Sequence, residues 1–182
     1  MRKIHYERYN LELARELLDS IPDKAKRAVP RALKRAMMRG RTVARQGILD
    51  EYTIKRKDID AFTRIYAYND YAGFEMRSTM FSMERFKVRP TDRSTTGRNH
   101  KLVKIEIRKG MGMTPYYWVF KHRGHLFERR GDERYPLDFL RGPSLKGMVS
   151  GSGVADDVME VMEKTFNERI GHEIDWALNG RK

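Results

Sequence analysis

PYYWVFKHRGHLFERRGDERYPLDFLRGPSL, residues 115–145, is the stretch on which the fold turns. Aromatic and β-branched residues crowd its first half, and two glycine-bearing turns, KHRGH and RRGDER, interrupt it. Tyr116–Phe120 and Leu126–Glu128 read as a hairpin with Gly124 in its loop. Tyr135 to Leu140 reads as a return strand. Pro136 has no N–H to donate, which assigns that strand to a sheet edge. Aromatics alternate with cations at Tyr116, Tyr117, Trp118, Phe120, Lys121 and Arg123, a pattern that single-strand nucleic-acid platforms share. A strand pair at the centre of a sheet has the same composition. The preferred expectation is that these rings form a sheet core beneath two long helices.

Further strands flank this centre. Within Lys101–Arg108, Val103, Ile105 and Ile107 point one way while Lys104, Glu106 and Arg108 point the other. Phe74, Met76, Ser78 and Met80 alternate with Glu75, Arg77 and Thr79. Phe81–Val88 is a further strand candidate, and Phe62–Tyr68 reads as a strand or a helix end. PTDRSTTGRNH, from Pro90 to His100, has loop composition and is the expected flexible segment.

The helices lie outside the sheet. Asn10 is placed to cap a short one over Leu11–Leu18, and Ser20-Ile-Pro-Asp marks a break and restart. A long helix then runs to about Glu51, with a kink or a second start expected at Pro30. Val29, Leu33, Ala36, Met37, Gly40, Val43, Ala44, Gly47 and Ile48 fall in one arc at about 100° per residue. Ala32, Ala36, Gly40 and Ala44 form a ridge of small residues, on which another backbone is expected to approach closely. Thr53 reads as the cap of a short helix, TIKRKDIDAF. Gly142-Pro143 and Gly147–Gly153 read as a hinge-like region. A final helix starts near Val154 and ends before Gly180, with Asp156 and Asp157 at its positive end. Helices, a mostly antiparallel sheet and a closing helix make an α+β domain spanning 1–182, with an N-terminal extension over 1–20 and a flexible loop near 90–100.

Composition narrows the function. The chain has no cysteine, so cysteine zinc sites and disulfide frameworks are excluded. No run approaches the roughly 20 apolar residues of a membrane span. The basic N-terminus lacks a signal-peptide core, so a soluble protein made in the cytosol is expected. The formal net charge of +13 favours a polyanion or an acidic protein surface. Arg27, Arg31, Lys34, Arg35, Arg41 and Arg45 lie opposite the apolar arc of the long helix and are the candidate DNA- or partner-facing residues.

Catalytic signatures are missing. His122 and His125, three apart on a hairpin turn, and His100 elsewhere do not ensure converging metal ligands. Gly110-Met111-Gly112-Met113 lacks the third glycine and the strand–turn–helix setting of a nucleotide loop. No G-x-S-x-G elbow occurs. Glu128, Asp132, Glu133 and Asp138 sit among arginines, where ion pairing explains them. No catalytic, cofactor-binding or metal residue is nominated, and no cofactor is expected.

Two strings carry a family resemblance. AVPRALKRAMMRGRTVARQGILDEYTIKRKDI, residues 28–59, leads from Val-Pro into a long helix and then a short basic T-x-K-R-K segment. ERYPLDFLRGPSL, residues 133–145, sets Arg134-Tyr135-Pro136-Leu137-Asp138 before a Gly-Pro breaker and a terminal helix. Together with the order of elements between them, they resemble the phage minor tail protein Z family, the tail-completion proteins of lambda-like siphophages, over roughly Pro22–Leu178. The resemblance implies a structural virion protein without enzymatic activity, made in the host cytoplasm. It would complete the head-proximal end of the tail and join it to the neck or connector. Its partners would be other neck and tail proteins, together with a non-specific contact to the genomic DNA end. Copies would form a ring, most often sixfold. Tyr135, Pro136 and Leu137, on the expected edge strand, are the candidate residues at the subunit interface. A free-standing basic nucleic-acid-binding protein is the rival reading, and a nuclease-type enzyme using His122 or His125 is a second rival.

Overall fold

The computed structural model describes residues 28–68, 71–89, 102–131 and 133–179. The expected helix at Leu11–Leu18, the break at Ser20, Arg27, the N-terminal extension and the Pro90–His100 loop lie outside the described residues. The chain is α+β: an N-terminal and a C-terminal helix pack together with several small antiparallel sheets.

Helix α1 (Ala28–Glu51) follows from its apolar arc. It buries Ala28, Val29, Ala32, Ala36, Met37, Gly40, Ala44 and Ile48. Pro30 is its third described residue, and the carbonyl to which a helical N–H at that position would bond lies outside the described residues. The largest contact between two elements is that of α1 with the closing helix α4 (Val154–Asn179). Val154, Val158 and Met162 repeat every four residues along α4 and are buried against Ala36, Met37 and Ala44. The small-residue ridge was expected to admit another backbone. What fills its notches is side chain: Met162 sits over Gly40 and Val154 over Gly47, leaving no room for a β-carbon at either glycine.

The strands are short and form separate sheets. β1 (Thr63–Ala67) and β2 (Ala72–Met76) form a hairpin in which Ile65 opposes Phe74; this hairpin packs on α1. β3 (Met80–Ser82) pairs with β10 (Arg141–Ser144). β4 (Lys87–Arg89), β5 (Val103–Glu106) and β6 (Thr114–Tyr116) make one three-stranded sheet, and β7 (Val119–His122), β8 (His125–Arg129) and β9 (Leu137–Phe139) make another. A 3-10 turn at Met83–Arg85 divides the expected Phe81–Val88 strand. Helix α2 (Arg56–Ala61) follows α1, and helix α3 (Leu145–Ser150) precedes α4.

Two hydrophobic clusters result. One gathers Ile48, Tyr52, Ile59, Phe81, Ile105, Leu126, Leu145 and Met148. The other joins α1, α4 and the β1–β2 hairpin through Ala44, Met162, Phe74 and Phe166. Each large aliphatic or aromatic side chain so buried contributes roughly 1.5–3 kcal/mol.

Three expectations need correction. The Tyr116–Phe120 strand breaks at Tyr117–Trp118, where Trp118 has φ +64°, so its two halves join different sheets. The two long helices do not roof the aromatic sheet; they pack on each other, with the β1–β2 hairpin against α1 and its Phe74 in the cluster the helices share. Gly142-Pro143 is no hinge. It lies in β10, where Gly142 abuts the Phe86 ring, and α3 follows at once, with Ser144 Oγ accepting from Gly147 N at 3.2 Å.

Thr53 is a further departure. Lys55, not Thr53, precedes α2. The Thr53 hydroxyl instead donates to the Glu106 carbonyl and accepts from Lys87 N at 3.1 Å, stapling the end of α1 to β4 and β5. Lys109 completes that joint, as its Nζ caps the Leu49 carbonyl near the C-terminus of α1.

Candidate functional site

The basic face of α1 is not uniform. Arg41 Nη2 and Arg45 Nη1 donate to Asp60 Oδ1 at 3.0 and 3.1 Å, and Arg56 Nε lies 3.6 Å from Oδ2. These residues dock α2 on α1, and the Arg45 side chain is only 17% exposed. Burial acts to raise the Asp60 carboxyl, but hydrogen bonds and charge from Arg45 and then Arg41 outweigh it and hold it below its ordinary value. Arg41 Nε is buried without a partner among the described residues. At the other end of the face, Arg31 bonds Glu173 of α4 at 3.2 Å and lies over the Trp176 ring. Lys34 and Arg35 are exposed and carry no ion pair among the described residues. Of the candidate basic residues, these two are the ones free to meet a partner, and Arg27 lies outside the described residues.

A second surface lies on the β7–β8–β9 sheet. Residues paired across strands share a face, and neighbours alternate. Val119 and Leu126 therefore point into the core, and both are buried. The other face carries Phe120, Phe127 and Phe139 in one cross-strand row, with His122, His125, Arg129 and Leu137 beside them. The row is contiguous: Phe120–Phe127 centroids are 6.1 Å apart and Phe127–Phe139 centroids 5.5 Å. All three rings are half-buried. Arg129 lies over Phe120 at 5.6 Å and Arg141 over Phe139 at 5.5 Å. Neither guanidinium is ion-paired among the described residues. The sequence showed the mixture of rings and cations here but not which face the rings take. The period-2 register from Val119 was the available signal.

Beside this row, His125 Nδ1 stands 3.0 Å from Glu84 Oε1 and 3.4 Å from Ser82 Oγ, while Ser82 Oγ bonds the same Glu84 carboxylate. Serine, histidine and glutamate meet, yet both partners use one imidazole nitrogen. A relay for nucleophilic attack needs the acid on one ring nitrogen and the serine on the other. Among the described residues, no group of three or more His, Asp or Glu is arranged to hold a metal ion. No helix of the described residues is long and apolar enough to cross a membrane.

The candidate interface residues lie at the end of that sheet. Among the described residues β9 pairs with β8 alone, which makes it an edge. Tyr135 is 62% exposed, Pro136 is exposed behind a cis peptide bond, and Leu137 is half-buried opposite Arg129. Arg130 and Asp138 join across the turn by two bonds of 2.7 and 2.8 Å, and this hydrogen bonding holds the Asp138 carboxyl below its ordinary value. Two other features stand apart. Tyr66, Tyr68 and Tyr71 are exposed at the turn end of the β1–β2 hairpin, with Tyr68 and Tyr71 stacked at 4.5 Å. A cleft of about 460 Å³ lies between Tyr52, Ile105, Met111 and Tyr116, with Arg108 donating to the Tyr52 hydroxyl at its wall.

No protein-family model matches the chain, and no curated protein or solved structure matches it.

Proposed function

We propose that this chain is a structural subunit of a phage virion, at the head-proximal end of the tail, where it completes the tail and joins it to the neck. The observation that carries the reading is the meeting of the family-like string with an outer edge. The segment Arg134–Asp138 leads into strand β9, an unpaired edge beside exposed Tyr135 and Pro136. Such an edge suits a neighbouring subunit, since unpaired strand N–H and C=O groups invite another chain. A head-to-tail contact repeated around an axis closes into a ring, sixfold in this proposal. The role in this proposal is non-enzymatic. The protein would act in the virion after synthesis in the host cytoplasm, contacting neck and tail proteins and, without sequence readout, the DNA end.

Electron microscopy of tails assembled without this protein tests the proposal. The expected result is tails that fail to join heads or to deliver DNA. Normal joining and delivery would refute it.

A free-standing nucleic-acid-binding protein is the second reading, favoured by the formal charge of +13 and by the unpaired Lys34 and Arg35. It predicts a monomer or dimer whose DNA affinity falls steeply with salt. Native mass measurement separates the two, because the virion role calls for a closed ring.

A further inference from the structure

We propose that the outer face of the β7–β8–β9 sheet is a platform for an unpaired nucleic-acid strand. The proposal stands on this face alone and does not depend on the virion role.

Three observations carry it. First, Phe120, Phe127 and Phe139 form a continuous cross-strand row turned away from the core, which Val119 and Leu126 serve from the opposite face. Apolar rings half open to water on a sheet face call for a flat apolar partner. Second, among the described residues the charged groups over that row are the guanidinium groups of Arg129 and, reaching across from β10, Arg141, with the His122 and His125 imidazoles beside them. The acid that faces them is Glu84, and it is engaged by His125 and Ser82. Third, Arg129 and Arg141 stand over the two outer rings and have no ion pair among the described residues. Among the described residues, no anion satisfies their N–H groups.

The chemistry that fits is an anionic backbone carrying flat π-faces. An unpaired strand offers both: phosphates for the two guanidinium groups and bases for the ring row and the guanidinium planes. A duplex offers the phosphates but hides its base faces in the stack. A second copy of this chain would bring its own large positive charge to a cationic face. An acidic peptide supplies charge but no stacking planes.

The test compares binding of a short fluorescein-labelled oligothymidylate with that of a duplex carrying the same number of phosphates. A merely electrostatic surface favours the duplex, whose phosphate charge is denser. The expected result is tighter binding of the single strand. Replacing Phe120→Leu and Phe127→Leu keeps the apolar volume but removes the rings. That variant should lose about 5- to 150-fold in affinity for each base that stacks. Photo-crosslinking of the wild-type protein with an iodouracil-substituted oligonucleotide gives a readout independent of the variant's folding. The adducts should fall on residues 119–129 and 137–141. Duplex preference, undiminished binding by a folded double-leucine variant, or crosslinks confined to α1 would each overturn the proposal.

Discussion

The Met162 thioether of α4 occupies the notch that Gly40 leaves on α1. Gly47, two turns further on, receives Val154 in the same way. Alanine at either glycine gains up to about 1 kcal/mol of helix propensity, while overpacking costs roughly 1–3 kcal/mol. Met162 has several rotatable bonds and can swing aside. Val154 is β-branched and stiff, close to the start of its helix. Gly47→Ala should therefore destabilise more than Gly40→Ala in urea unfolding. Met162→Ala should partly rescue Gly40→Ala, so that the double variant costs less than the sum of the singles. Equal costs at the two glycines, with no coupling, would count against this packing.

The basic residues of α1 divide into two groups with opposite expected behaviour. Lys34→Glu with Arg35→Glu should leave the melting temperature nearly unchanged, since neither residue is ion-paired among the described residues. Arg41→Glu with Arg45→Glu sets two new acids against Asp60 and should destabilise by a few kcal/mol, of order ~3. Calorimetry of the two variants decides the matter. Equal melting temperatures would show that Asp60 does not dock α2.

Asp60 and Glu106 make the fold sensitive to acid. The Glu106 carboxylate is held low first by the hydrogen bond from Lys87, against burial, with the Lys87 charge and the Gly110 N–H adding to it. Asp60 is held low as described above. Both groups bind protons less readily folded than unfolded, so their stabilisation is present above the ordinary carboxylate range near pH ~4 and is lost as pH falls through the folded values. Asp60→Asn should be less stable than the wild type at neutral pH, and the difference should shrink as pH falls through the lowered folded value of Asp60. A difference that is constant with pH would refute the electrostatic account.

The β7–β8 turn offers a gain in stability. Arg123 and Gly124 both have positive φ, +48° and +84°, between the paired His122 and His125. Two-residue turns of this kind favour Asn-Gly, because asparagine tolerates the left-handed region better than arginine. Arg123→Asn should raise stability by roughly 0.5–1 kcal/mol in denaturant titration. A loss would mean that the Arg123 side chain has a structural role of its own.

What the sequence made legible was local. The 100° period of α1, the Gly124 turn and an edge strand after Pro136 all rest on near neighbours and appear in the structure, although that strand begins at Leu137 and the alternation expected of β5 stops at Glu106, which is buried. Thr53, Arg41 and Arg45 were hidden by one cause, which is a partner remote in sequence; Trp118 and Pro143 were hidden by local backbone geometry. Thr53 has the chemistry of a helix cap, but its bonds go to Glu106 and Lys87. Arg41 and Arg45 fit a solvated face until Asp60 folds back on them. Trp118 breaks a run of strand-forming residues without a glycine to announce it. Pro143 has the composition of a breaker, yet it lies within β10 at a register shift between the paired Arg141 and Ser144, the kind of irregularity that accommodates proline. The candidate surfaces were therefore visible as composition, while their assignment to core, dock or open face required the register.

Both hydrophobic clusters run along α1: Ile48 belongs to one, and Ala36, Met37 and Ala44 to the other. Met76 and Val149 bridge them from the side. Ala44 and Ile48 are one turn apart on the same face of α1, so the two clusters meet there and share the helix as a common wall. Loosening either one strips packing from the helix that the other needs, and a single cooperative unfolding transition is the expected consequence.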